Sequence, residues 1–270
     1  MRLPAYWTRP LVRGNLPGMP LSFDHALVTV PSLADACMDF AAAGFTVTAG
    51  GRHEGTPTEN ALVILEDGTY VELIALRDPA LRDELRARRS WRDVDALGRR
   101  FLPAFLGPFG VADCVFRTQG LERYVNTAKL RGVPVDGPFS MGRERPDGVR
   151  LAWKLALPMS REIPFLIEDV TPIERRIPSA PERRVHANGA RSVALIEIAV
   201  GDVGNALELW RQWLELSAVT REYEDAFVQV GPLRIRLFDA RGGRPGAQRL
   251  VLAGANALAE TVTGLRIHAS

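Results

Sequence analysis

The amino-acid sequence predicts an α+β protein built from repeated βαβββ modules, two of them cupped against each other as a half-barrel and a third one degenerate. Three observations carry that expectation. A unit of strand, short polar turn, amphipathic helix, small residue and strand recurs three times, beginning near residues 23, 112 and 192. Alternating apolar runs follow each helix, and Asp67-Gly68 between two β-rich runs is a strong hairpin signal. At 270 residues, 46 % hydrophobic and 24 % charged, the chain is ordinary for a globular protein with a substantial core.

The expected organisation is an N-terminal arm (1–21), a first module (22–76), a helical connector (77–109), a second module (110–170), a linker (171–191) and the degenerate third module (192–270). The first module opens with the strand FDHALVTV and continues into a helix. There Ala34, Cys37, Met38 and Ala41 follow the helical period, Ser32 and Asp35 have capping-box spacing, and Gly44 stands at the end. Strands are expected at about 45–49 and along ALVILEDGTYVELIAL. The connector carries ALRDELRARRSWRDVDALGRRF, whose charge pattern predicts a solvated amphipathic helix. In the second module, Leu121, Val125 and Ala128 mark a helix face, with strands at 133–135, 149–157 and 164–167. In the third, Asp202 is an N-cap candidate and Val203, Leu207, Trp210 and Leu214 a helix face. Its hairpin is FVQV/LRIRLF, with RLVLAG and GLRIHA as further strand candidates. The unpaired third copy either packs outside the cup or pairs with another chain, so a homodimer is one expectation.

Bulk properties narrow the function. A net charge of +2 gives no reason to expect nucleic acid or an anionic membrane as partner. No apolar run approaches the roughly 18 residues of a membrane span, and the Pro- and Gly-broken N-terminus has no signal-peptide h-region. Cys37 and Cys114 fall in apolar periodic segments and read as free thiols of a cytoplasmic protein. GxSxG, P-loop, GxGxxG, HExxH and CxxC signatures are all absent from the sequence. A small-molecule ligand is the expected partner.

Strand parity nominates site residues. Phe23, His25, Leu27 and Thr29 share one face of the first strand, and Tyr70, Glu72 and Ile74 one face of a later strand. His25 and Glu72 are polar residues in apolar strands and suit a divalent metal, although each also reads as a satisfied core group. His53 lies in GGRHEGTPTEN, a polar, Gly-rich segment before a strand, and reads as a functional loop residue or simply as part of a surface loop. Arg143 and Arg145 in MGRERPDG are anion-binding candidates through their guanidinium forks, or simply exposed turn residues. Trp153 is either core or a stacking wall.

The segments DHALVTVPSL, GGRHEGTPTENALVILEDGTYVELIAL and MGRERPDGVRLAWKLALP…PFLIED together resemble the glyoxalase-like branch of the vicinal oxygen chelate superfamily. The resemblance covers about residues 22–170 and, more faintly, 190–240. It implies a metal site built from His25 and Glu72 in the first module and Asp113 and Glu168 in the second. Histidine or glutamine is usual where Asp113 stands. Three carboxylates and one histidine favour manganese or magnesium over zinc or iron, or no metal at all. The resemblance also includes His53, Asn60 and the arginine motif as ligand contacts. The matching positions in the third copy, Leu195 and Arg236, make no site. The implied activity is a metal-dependent isomerase or lyase acting on a small oxygen-rich or acidic metabolite, with Glu168 moving a proton and Arg143, Arg145, Trp153, His53, Asn60 and Tyr70 holding the substrate. The alternative is a metal-free protein that sequesters a small molecule, as antibiotic-resistance members do.

Overall fold

The structure is a computed structural model and describes residues 21–87, 95–214, 219–254 and 267–269. The expected N-terminal arm, apart from Leu21, and part of the expected connector helix lie outside those residues.

Strand β1 (Ser22–Thr29) leads into helix α1 (Leu33–Ala42), then β2 (Thr48–His53), β3 (Thr58–Ile64) and β4 (Tyr70–Leu76). After helices α2 (Ala80–Ala87) and α3 (Ala96–Leu106) come β5 (Gly110–Arg117), α4 (Leu121–Leu130), β6 (Val135–Glu144), β7 (Arg150–Pro158) and β8 (Phe165–Asp169). These eight strands form a closed barrel in the order β1-β4-β3-β2-β6-β7-β8-β5, where the sequence suggested an open cup. The two halves meet along β1 and β5, which pair antiparallel over most of their length. They meet again, more briefly, where Arg52 and His53 of β2 face Glu144 and Arg143 of β6. Closure removes the sheet edges that a cup would leave open.

Local chemistry explains the turns. Ser32 caps α1 by accepting from the Asp35 amide, and Gly44 ends that helix with φ +83°, a conformation open to glycine. Asp67 accepts from the Thr69 amide and hydroxyl, closing the β3–β4 hairpin around Gly68. The α1 stripe differs from the expected one. Ala36 and Phe40 are buried whereas Met38 is 63 % exposed, because Phe40 has a hydrophobic slot beside Phe45 (5.4 Å between rings) that outweighs the smaller residues on the other face.

A short helix α5 (Ile173–Arg176) follows the barrel. Strand β9 (Ser192–Val200), helix α6 (Val203–Leu214), β10 (Val219–Glu222), β11 (Asp225–Val230), β12 (Leu233–Asp239), β13 (Gly246–Ala253) and β14 (Ile267–Ala269) complete the chain. The strands from β9 onward form a six-stranded sheet, β10-β11-β12-β9-β13-β14. That sheet and α6 pack outside the barrel. Trp210 and Trp213, both fully buried, donate their indole N–H groups to the carbonyls of Glu162 and Pro164 at 2.8 and 2.7 Å. Trp210 also meets Phe116 edge-on at 6.2 Å. The main apolar core therefore lies outside the barrel, between its sheet, α1, α4 and the second sheet, leaving the interior free for a different use.

Candidate functional site

The barrel interior holds a cavity of about 370 Å³, at the small end of the roughly 300–1,000 Å³ usual for ligand pockets. One end is apolar: Leu27, Ile74 and Phe165 come from strands, and Phe101 and Phe105 from α3. Helix α3 is therefore no solvated connector. Its apolar face covers the barrel, with Phe101 edge-on to Phe165 at 5.5 Å, and its Arg100 is buried. Asp95 caps its first turn by accepting from the Gly98 amide at 2.7 Å.

The other end is polar and centres on Glu72. Its Oε2 lies 3.2 Å from His25 Nε2, its Oε1 accepts from Asn60 Nδ2 at 2.5 Å, and His53 Nε2 stands 3.6 Å from the same Oε1. Behind His25, Asp24 lies 2.7 Å from Nδ1, and the imidazole stacks on Tyr70 at 4.4 Å. Trp153 meets His53 edge-on at 6.1 Å. Asn60 lies directly over Gly50, where a Cβ would come 2.0 Å from Asn60 Oδ1, so only glycine leaves room for this rotamer. His53 sits at the end of strand β2 rather than in a loop, and its cross-strand partner is Arg143. The sequence pattern put β2 three residues early and ended β6 at Val135, which hid this pairing.

Electrostatics sorts the two histidines. Burial alone would lower His25, but the carboxylates of Asp24 and Glu72 at its two nitrogens outweigh it and raise its pKa. Burial would likewise raise Glu72, but the hydrogen bond and charge of His25, with His53 and Asn60, hold it at about 2. His53 moves the opposite way. Burial lowers it, and Arg143 and His25 add to that against the pull of Glu72. At neutral pH the site thus carries a carboxylate at 72 and a neutral imidazole at 53, with His25 shifted towards its protonated form.

Sequence reasoning missed Arg176, which comes from the segment read as a linker. Its guanidinium makes two hydrogen bonds to Asp24 (2.7 and 2.9 Å), two to Asp169 (2.7 and 2.8 Å) and one to the Tyr70 hydroxyl (2.7 Å). It ties α5 to the start of β1 and the end of β8. The one available signal was an arginine pair, Arg175-Arg176, after a Pro-initiated turn, which does not identify a partner. Asp24 was also missed. The β1–β5 register shifts between Phe23 and His25, so Phe23 packs outward on Phe116 at 5.7 Å, not on the His25 face that strict alternation assigned to it.

A model of the Glyoxalase-like domain family matches residues 23–214. The chain belongs to the glyoxalase-like domain family. That is a family of vicinal oxygen chelate type, as the motif resemblance implied. Two solved structures have a similar fold to this glyoxalase-like chain. One is a hypothetical protein from Staphylococcus aureus, 17 % identical, with a TM-score of 0.73 over 93 % of this chain and 99 % of that one. The other is described as a xylose isomerase-like TIM barrel/4-hydroxyphenylpyruvate dioxygenase fusion protein, 12 % identical, with a TM-score of 0.50 over 88 % of this chain and 37 % of that one. No curated protein matches the sequence.

The residues present do not fit the metal site that the glyoxalase-like resemblance implies. Among the described residues no group of three or more His, Cys, Asp or Glu side chains is arranged to hold an ion. Asp113 is committed elsewhere, accepting from Arg100 Nε and Nη2 at 2.7 and 2.8 Å and from the Cys114 amide. Glu168 projects outward: alternation along β8 sends Phe165 and Ile167 into the cavity, and Glu168 accepts from the Gly120 amide at the start of α4, 2.6 Å away. The second module thus presents hydrocarbon where the first presents Glu72. Glu168 is likewise out of reach of a substrate in the cavity. Arg145 also lies away from it, bonded to Asp147 and to the carbonyl of Arg175 on the outer surface. His25, His53, Asn60, Tyr70, Glu72, Arg143 and Trp153 all line the cavity. Among the described residues no helix is long and apolar enough to cross a membrane.

Proposed function

We propose that this protein binds a small metabolite in the barrel cavity and moves a proton on it, an isomerase- or lyase-type reaction that uses side chains alone. The observation that carries this reading is the buried His53 on the cavity wall, 3.6 Å from a Glu72 that is already paired with His25, where burial and Arg143 push its pKa down. A general base must be unprotonated at working pH yet close enough in pKa to accept a proton, and a depressed histidine meets both conditions. In the tautomer that donates from Nδ1 to Thr58 Oγ1, 2.9 Å away, Nε2 keeps its lone pair. That atom takes a proton from a carbon next to a carbonyl. The electron pair of the C–H bond moves to the carbonyl oxygen, and Arg143, with His25 in its protonated form, favours the anion that develops. Where the deprotonated carbon bears a hydroxyl, transfer of its O–H proton to the former carbonyl oxygen and return of the carbon-bound proton to the former carbonyl carbon complete an isomerisation; departure of a leaving group, with its electron pair, from the carbon on the other side completes an elimination. Glu72 orients the site instead of serving as the base, since its low pKa makes it a weak proton acceptor.

The test is deuterium uptake from D2O into a panel of small aldehydes, ketones and 2-oxo acids, read by mass spectrometry. Exchange above the enzyme-free rate that disappears in His53→Ala and survives chelator treatment is the expected result. Exchange absent across the panel, or abolished by chelator, overturns the reading. One observation favours a second reading, a binding protein without turnover: the cavity wall is mostly apolar and aromatic, which suits retention of a ligand.

A further inference from the structure

Three buried arginines serve the barrel, and two of them are saturated. Arg100 makes two hydrogen bonds to Asp113 and three more to the carbonyls of Pro158, Ser160 and Ile163. Arg176 is held by Asp24, Asp169 and Tyr70. Arg143 is different. It is 2 % exposed, lines the cavity and bonds through Nη1 to the Gly50 carbonyl. Among the described residues no carboxylate lies within ion-pairing distance of it. A guanidinium presents five donors in a planar fork, and burying one without an anion is costly.

The charge around it points the same way. Arg176 and Arg117 both pair with Asp24, Arg176 also pairs with Asp169, and His25 lies between Asp24 and Glu72, so each carboxylate of this cluster already has a partner. Arg143 takes part in none of these ion pairs and faces the cavity. A single guanidinium without a carboxylate partner matches a monoanion, and its planar fork matches the two oxygens of a carboxylate. Beyond this head the wall is mostly hydrocarbon, from Leu27 and Ile74 to the rings of Phe101, Phe105 and Phe165, and Asp95, also in the lining, is engaged with the Gly98 amide.

We infer that the cavity takes an amphipathic monocarboxylic acid, its carboxylate on the Arg143 fork and its apolar body beneath α3. This rests on the proposed use of the same cavity and names the class of molecule that enters it. The cross-strand position of His53 opposite Arg143 sets the base beside the bound head group, so the carbons nearest the carboxylate are the ones it reaches.

The test uses 3-phenylpropanoate and its neutral isostere 3-phenylpropanamide, titrated calorimetrically into the full chain at pH 7.5. The acid binds the wild type at least tenfold tighter than the amide. In Arg143→Met that preference disappears while amide binding stays within about twofold, and in Arg145→Met the preference is kept. His53→Ala keeps it as well, since that change removes the base and not the fork. Equal affinity of the two probes for the wild type, a preference that survives Arg143→Met, or no binding of either probe overturns the inference. The wild-type comparison decides even if a variant misfolds. Deuterium exchange into neutral carbonyl compounds without any acid preference would sink this inference alone; an acid preference without exchange would sink the proton-transfer reading alone.

Discussion

Replacing Glu72 with Gln keeps the size and the amide contact of the side chain but removes the charge that His25 faces at 3.2 Å. Folding lowers the Glu72 pKa from 4.5 to about 2, and a tenfold change in proton affinity is worth about 1.4 kcal/mol, so the carboxylate contributes about 3 kcal/mol at neutral pH. The sign follows from the direction. A carboxylate depressed on folding stabilises above its unfolded pKa, and that stability is lost as pH falls towards the folded value. The deficit of Glu72→Gln against wild type should therefore be about 3 kcal/mol at pH 7, shrink by about 2 kcal/mol by pH 3, and vanish near pH 2. The raised His25 gives the opposite limb: its share is present in full below its usual pKa and is lost as pH rises through the elevated one. Urea unfolding followed by tryptophan fluorescence from pH 3 to 9, for both proteins, measures this. A deficit that stays constant between pH 7 and pH 3 would refute the reasoning, because it would show packing rather than charge to be what Glu72 supplies.

Arg176→Met strands Asp24 and Asp169 without their cation, and breaking such a buried pair costs about 3–5 kcal/mol; thermal unfolding should fall by about 10 °C, and the added changes Asp24→Asn and Asp169→Asn should restore part of it. Gly50→Ala drives a methyl into Asn60, so it should destabilise by about 1–3 kcal/mol and loosen Glu72, seen as a lower His25 pKa in a histidine NMR titration. Deuterium exchange should rise with pH through the lowered pKa of His53 and level off by pH 7, since the base is idle only when protonated; a rate that falls over that interval would mean that an acid carries the step.

The polar residues that meet in the cavity were legible in the sequence because they interrupt apolar strands of regular alternation. Tyr70, Glu72 and Ile74 keep strict parity along β4, and the cavity takes that whole face. Where alternation breaks, the reading fails. The register shift at Asp24 turns Phe23 outward and lets two successive polar side chains join one network. Glu168 was placed by alignment with Glu72, but its strand offers the cavity Phe165 and Ile167, so an alignment by order put it on the wrong face. Asp113 has the right position along β5, yet its partner Arg100 comes from α3, and no local pattern announces a contact made by tertiary packing. The same holds for Arg176: its two carboxylates lie at the far ends of the two βαβββ-ordered segments. Arg143 and Arg145 are adjacent on one face in sequence spacing, and the end of β6 separates them, one facing the cavity and the other a surface turn.

Ring-nitrogen NMR of histidine-labelled protein, titrated from pH 5 to 9, addresses the proton-transfer site most directly. His25 should titrate above the usual histidine value, while His53 should be neutral at pH 7 with an Nε2 shift characteristic of a bare lone pair. Glu72→Gln should lower the first without raising the second. A His53 that is protonated at pH 7, or a His25 that titrates below its usual value, would contradict the assignment of base and ion pair on which the proposed chemistry stands.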